Sequence, residues 1–167
     1  MNDSWKNPLS LFDVSGKVAL ITGASGAFGA VAARALAGAG CKLVLAAANG
    51  DALAEVAAEC KALGAKVVTV SKRPTDEAAC DHLADLAVEL FGSLDILVVA
   101  SGMNKVAKID TLTPTDFENV MDANVTQSWL LTRAATTKMK QQPTGGKIIL
   151  VSSARGLLGH PAGYTAY

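Results

Sequence analysis

Apolar residues follow two rhythms along this chain. Five short runs, Lys17–Thr22, Lys42–Ala47, Lys66–Val70, Leu94–Ala100 and Lys147–Ser152, are apolar almost throughout instead of alternating. That is the pattern of parallel strands covered by helices on both faces. Between them, Ala27–Gly38, Asp51–Leu63, Thr75–Phe91 and Thr115–Lys140 carry apolar residues three and four apart and are predicted helices. Gly38, Gly40, Gly64 and Gly92 stand where helix C-termini should fall, and Thr113-Pro114 is a cap followed by a proline at the first helical position. Strict alternation with right-handed crossovers predicts a doubly wound parallel sheet, an α/β fold of strand order 3-2-1-4-5. The segments after Thr22 and after Ala100 then face one crevice at the switch in strand order, where such folds bind ligands.

Composition narrows the function classes. Of 167 residues 50% are hydrophobic and 18% charged, with 15 basic and 15 acidic side chains. This balance provides no basic field for a nucleic acid or an anionic membrane. Arg34, Lys42 and Asp95 interrupt every apolar stretch that approaches the roughly 20 residues of a membrane span, and the N-terminus has no secretory pattern. Cys41, Cys60 and Cys80 are widely spaced and accompanied only by His82 and His160, so no metal site is expected. Reduced, half-buried thiols suit a cytoplasmic protein. The expected organisation is a lead-in over residues 1–16 and one domain over 17–167.

The turn after the first strand reads Thr22-Gly23-Ala24-Ser25-Gly26-Ala27-Phe28-Gly29. Gly23 suits a tight turn, a mid-loop glycine admits backbone N–H groups to a pyrophosphate, and Gly29 lets the helix pack closely on the strand. In this place the chain resembles the short-chain dehydrogenase/reductase family, whose signature is T-G-x-x-x-G-x-G. Gly23 and Gly29 fit it; the family's middle glycine falls on Ala27, with Gly26 one position earlier. Leu94–Val98 followed by Val99-Ala100-Ser101-Gly102 is similar to the family's fourth strand and its N-N-A-G, of which Gly102 is kept. Asn124 matches the family's helix asparagine, and Gly146–Ser153 matches the strand that ends in the catalytic serine. Gly163-Tyr164-Thr165-Ala166-Tyr167 matches the segment holding the active-site tyrosine.

The resemblance implies a Rossmann-like three-layer α/β/α domain. It also implies an NAD(P)-dependent oxidoreductase that interconverts a secondary alcohol and a ketone with a tyrosine acid/base. Asn124, Ser153 and Tyr167 are the implied catalytic residues; Ser153 is favoured over Ser152 and Tyr167 over Tyr164, at an interval one residue longer than usual. Gly23, Ser25, Gly26, Ala27, Phe28, Gly29, Ala48, Arg73, Ala100 and Gly102 are the implied cofactor contacts. Ala46-Ala47-Ala48-Asn49 has neither the acid that favours NAD nor the arginine that favours NADP; Arg73, after the third strand, tips the expectation slightly to NADP. His160, between serine and tyrosine, is a candidate substrate contact. The resemblance further implies a homodimer or homotetramer through the 115–140 helix, whose Val120, Ala123, Gln127, Leu130 and Leu131 make a broad face. The family lysine, four residues beyond the tyrosine, falls past the last residue. The sequence is therefore expected to be part of a longer enzyme, with the C-terminal strands missing, and a polypeptide ending at Tyr167 to lack turnover.

Overall fold

The structure, a computed structural model, describes residues 6–158 and 163–167. The five strands are β1 (Val18–Thr22), β2 (Lys42–Ala46), β3 (Val67–Val70), β4 (Ile96–Val99) and β5 (Lys147–Leu150). They form one parallel sheet in the order β3-β2-β1-β4-β5, as expected. The helices are α1 (Ala27–Gly38), α2 (Gly50–Ala62), α3 (Glu77–Phe91), α4 (Pro114–Met121) and α5 (Gln127–Met139). Side chains of Asn49, Asp76 and Thr113 cap α2, α3 and α4 by accepting from the N–H groups of Ala52, Ala79 and Asp116. These bonds satisfy donors that have no acceptor within a helix.

Strand alternation divides the core in two. Val18, Leu20, Val44, Ala46, Leu97 and Val99 face α3 and α5, packing with Leu83, Ala84, Ala87, Leu131 and Ala134. Ala19, Ile21, Leu43, Leu45, Ile96 and Val98 face α1 and α2, packing with Ala33, Ala37, Leu53, Val56 and Cys60. All of β1 is buried, which is why its run has no polar phase. The cysteines are buried more deeply than half: Cys41, Cys60 and Cys80 are at most 1% exposed. Burial, with Asp76 and Asp81 adding to it, pushes the Cys80 thiol up to about 11. Among the described residues no helix is long and apolar enough to cross a membrane.

Two expectations about the long helix change. The predicted 115–140 helix is interrupted by a π turn at Asp122–Thr126, between α4 and α5. Its supposed pairing face is interior: Val120, Ala123, Gln127, Leu130 and Leu131 are all 8% exposed or less. The helix lying beside α5 is α3 of the same chain, and both cover one face of the sheet. The outer surface of the α4–α5 unit instead shows Phe117, Val125 and Trp129, the last 60% exposed.

One buried charge, at Asp95 just before β4, ties the edge of the core together. Asp95 accepts from the Val18 N–H at 3.0 Å, the Ser93 hydroxyl at 2.8 Å and Lys17 Nζ at 3.3 Å. Burial works to raise its pKa, but these hydrogen bonds and the Lys17 charge outweigh it and hold the carboxyl below its ordinary value. A depressed folded-state pKa gives stability that is fully present above the unfolded value and is lost as pH falls through the folded one. We expect Asp95→Asn to cost about 2 kcal/mol at pH 7. The gap to wild type should narrow as pH drops below about 4; thermal unfolding midpoints across that range check both statements.

Candidate active site

The crevice is built where the ends of β1 and β4 meet. Gly23 has φ +66°, and a Cβ there would stand 2.6 Å from the carbonyl carbon and oxygen of Ala100 and from the Ser101 nitrogen. Nothing larger than glycine allows this approach. Across it, the Ala100 N–H donates to the Thr22 carbonyl at 3.1 Å, and the Thr22 and Ser101 hydroxyls lie 3.0 Å apart. Where the family tetrapeptide begins with two asparagines, Val99 is a buried member of β4, and the Thr22 and Ser101 hydroxyls pair across the strand ends. Ser101 is not among the residues expected at the site from sequence. Its signal was a hydroxyl next to Gly102, facing the threonine that opens the glycine-rich turn.

At the start of α1 the cap is Gly26, which has no side-chain oxygen to occupy the first N–H groups of the helix. Those of Ala27, Phe28 and Gly29 have no acceptor within the helix, which makes a ready site for a phosphate. Gly26 also closes the turn, its N–H donating to the Gly23 carbonyl at 2.9 Å. A Cβ at Gly29 would overlap the Gly23 carbonyl oxygen, so the helix axis reaches the turn only because position 29 is bare. The residues present thus fit a dinucleotide pyrophosphate, with Ala27 as the first residue of the helix.

From this turn a cleft of about 720 Å³ opens past Phe28, Ala100, Ser101 and Gly102 to Asn124, Ser153 and Tyr167. Asn124 sits inside the π turn. Its side chain accepts from the Met103 N–H at 3.0 Å and donates to the Met103 carbonyl at 2.8 Å, which pins the segment after β4 to the helix. Gly102 permits this, since a Cβ there would lie 2.6 Å from Asn124 Oδ1. The Asn124 carbonyl accepts from the Ser128 hydroxyl at 2.7 Å, a bond made within the cleft lining. Ser153 follows β5 and accepts from the Arg155 N–H at 3.2 Å. Tyr167 is 41% exposed, its ring 6.0 Å from that of Tyr164. Residues 163–167 reach the cleft by crossing to the segment after β4: the Ala107 N–H donates to the Gly163 carbonyl, and the Thr165 hydroxyl to the Ala107 carbonyl, each at 2.8 Å.

The cleft therefore gathers all three catalytic candidates with Phe28, Ala100 and Gly102. Gly23, Ser25, Gly26, Ala27, Gly29, Ala48 and Arg73 are not among its lining residues. Arg73 points to α5 instead: its Nε donates to Gln127 Oε1 at 3.4 Å, while Gln127, 3% exposed, donates to the Pro74 carbonyl. The Arg73 Nη2 is buried with no hydrogen-bond partner. Met103 and Asn104 line the cleft, whereas Leu157 and Leu158 project into solvent. His160 lies outside the described residues.

A glycine-rich turn on the central strand and a Ser–Tyr–Asn cluster across the switch point from it make the layout of a dinucleotide-fold oxidoreductase. The family described as short chain dehydrogenase matches residues 17–167, and the chain belongs to that family. It is 47% identical over 159 residues to a Mycobacterium tuberculosis protein described as an uncharacterized oxidoreductase, covering 95% of this chain and 58% of that one. Among solved structures, a short-chain type dehydrogenase/reductase from Mycobacterium marinum superposes with a TM-score of 0.91 at 35% identity, over 95% of this chain and 65% of that one. A short chain dehydrogenase from Mycobacterium paratuberculosis, bound to NAD, superposes with a TM-score of 0.86 at 29% identity, over 92% and 62% of the two chains. One from Burkholderia cenocepacia, in complex with NADP, gives 0.86 at 29%, over 93% and 62%. The chain spans about three-fifths of the length of these relatives.

Proposed function

We propose that this chain supplies the dinucleotide-binding part and the serine–tyrosine pair of an NAD- or NADP-dependent dehydrogenase that interconverts a secondary alcohol and a ketone. The observation that carries this reading is the cleft that runs from Phe28, beside the glycine-rich turn, to Asn124, Ser153 and Tyr167. The nicotinamide, when bound, supplies or accepts the hydride. The bare N-terminus of α1 holds the pyrophosphate, and Thr22 with Ser101 keeps the cleft floor in register. Ser153 orients the carbonyl oxygen through its hydroxyl, and Tyr167 delivers or removes the proton at that oxygen. Asn124 supports the relay that returns the proton to solvent.

The cofactor is NAD or NADP. Ala47 and Ala48, at the end of β2, offer the ribose neither a carboxylate nor a guanidinium, and Arg73 is turned toward Gln127. The enzyme acts in the cytoplasm and pairs with further copies through the exposed Phe117, Val125 and Trp129. Titration of the full-length protein with NADH and NADPH tests the reading: both should bind, with affinities within about tenfold, because neither selecting device is present. Absence of dinucleotide binding would overturn it.

A further inference from the structure

We propose that Arg155 selects substrates that carry an anionic group, a carboxylate or a phosphate, a few bonds from the reacting carbonyl; the proposal rests on the reductase reading above. Among the described residues lining the cleft, Arg155 is the one charged side chain, and no aspartate or glutamate lines it. Lys105, which follows the lining residue Asn104, is paired with Asp116 at 3.7 Å. No carboxylate among the described residues pairs with the Arg155 guanidinium, which lies over the Tyr164 ring with Cζ 5.8 Å from its centroid. That ring in turn lies beside Tyr167. The cation thus stands one ring away from the proposed acid and two residues from the serine whose hydroxyl accepts its backbone N–H.

The chemistry of this placement is specific. A guanidinium presents a planar fork that matches a carboxylate or phosphate with two parallel hydrogen bonds. Stacking on an aromatic face holds the fork in position without using its N–H donors. A cleft with a single positive charge and no negative one attracts anionic ketones and offers a neutral ketone nothing in exchange. Because the charge sits on the short turn Ala154–Gly156, capped by Ser153, an anion held there and a carbonyl held by Ser153 are fixed relative to one another. Arg155 is a specificity residue in this reading and takes no part in proton transfer.

The test uses two matched pairs, levulinate with its methyl ester and dihydroxyacetone phosphate with dihydroxyacetone. Their affinities for the full-length protein, loaded with NAD+ or NADP+, are measured by calorimetry. At least one anion should bind roughly tenfold more tightly than its neutral twin, and less so as salt is raised. Which pair shows the preference distinguishes carboxylate from phosphate. In Arg155→Leu the ratio should fall to about one, and Arg155→Lys should restore part of it, with thermal midpoints close to wild type in both. Equal binding within both pairs, an equal loss for anion and neutral twin in Arg155→Leu, or no saturable binding of either anion overturns the proposal. Hydride transfer is followed separately with the same compounds and NADH or NADPH. A preference in binding without any transfer would sink the reductase reading and leave the anion site, whereas transfer to both twins at equal kcat/KM would do the reverse.

Discussion

Tyr167→Phe in the full-length protein is expected to lower kcat by about a thousandfold while leaving dinucleotide affinity within about twofold of wild type. The substitution deletes one oxygen and keeps the ring, so the packing against Tyr164 at 6.0 Å survives and the fold loses little. What disappears is the hydroxyl proposed to give a proton to a carbonyl oxygen beside Ser153 and to take it back in the reverse direction. Tyr164 is the internal control. It lines the same cleft and lies under Arg155, so Tyr164→Phe should alter substrate affinity more than kcat. Should Tyr164→Phe abolish turnover and Tyr167→Phe spare it, the roles would be exchanged. Steady-state rates with NADH or NADPH, beside a direct titration of the dinucleotide, decide between these outcomes.

Gly29→Ala is expected to destabilise the protein by about 3 kcal/mol and to abolish measurable dinucleotide binding. The added methyl would overlap the Gly23 carbonyl oxygen and stand 2.7 Å from the Gly23 carbonyl carbon and 2.9 Å from Ala24 Cα. All of these are backbone atoms, so no side chain can rotate out of the way. Nor can the turn retreat, because Gly23 is already at φ +66° and seated against Ala100 and Ser101, and Ala24 is fully buried. Relief requires α1 to lift from the turn, which moves the N–H groups proposed to hold the pyrophosphate. Gly38→Ala, at the other end of α1, has nothing within 4 Å of the new methyl and should be neutral or slightly stabilising through helix propensity. A drop in the unfolding midpoint for both variants would remove the packing argument; loss of stability and binding for Gly29→Ala alone supports it.

Much of the molecule was legible before any coordinates. The unbroken apolar runs marked five parallel strands because both sheet faces are covered, and the helix cap at Thr113 lies where the sequence places it, before a proline at the first helical position. Gly23 was legible as a tight turn and Gly29 as a place of close helix–strand packing, and each meets backbone atoms that a Cβ would strike. The errors share one origin. Val120, Ala123, Gln127, Leu130 and Leu131 form a broad helical face whether a second subunit or α3 covers it, and periodicity does not distinguish the two. The π turn at Asp122–Thr126 was likewise silent, since the residues around it keep an ordinary helical composition.

By itself, then, the sequence determined the strand order and the place of the crevice at the ends of β1 and β4, because these follow from side-chain period and from steric limits on single glycines. Only the tertiary structure decided where the polar groups point. Arg73 turns to Gln127, Ser101 braces Thr22, Asn124 grips Met103 and Arg155 stands over Tyr164. The physical reason is one of range. A period is set by neighbours along the chain, whereas a long or hydrogen-bonding side chain is oriented by the partner that another element brings within about 3 Å, and in each of these four cases except Arg155 that partner lies at least 21 residues away.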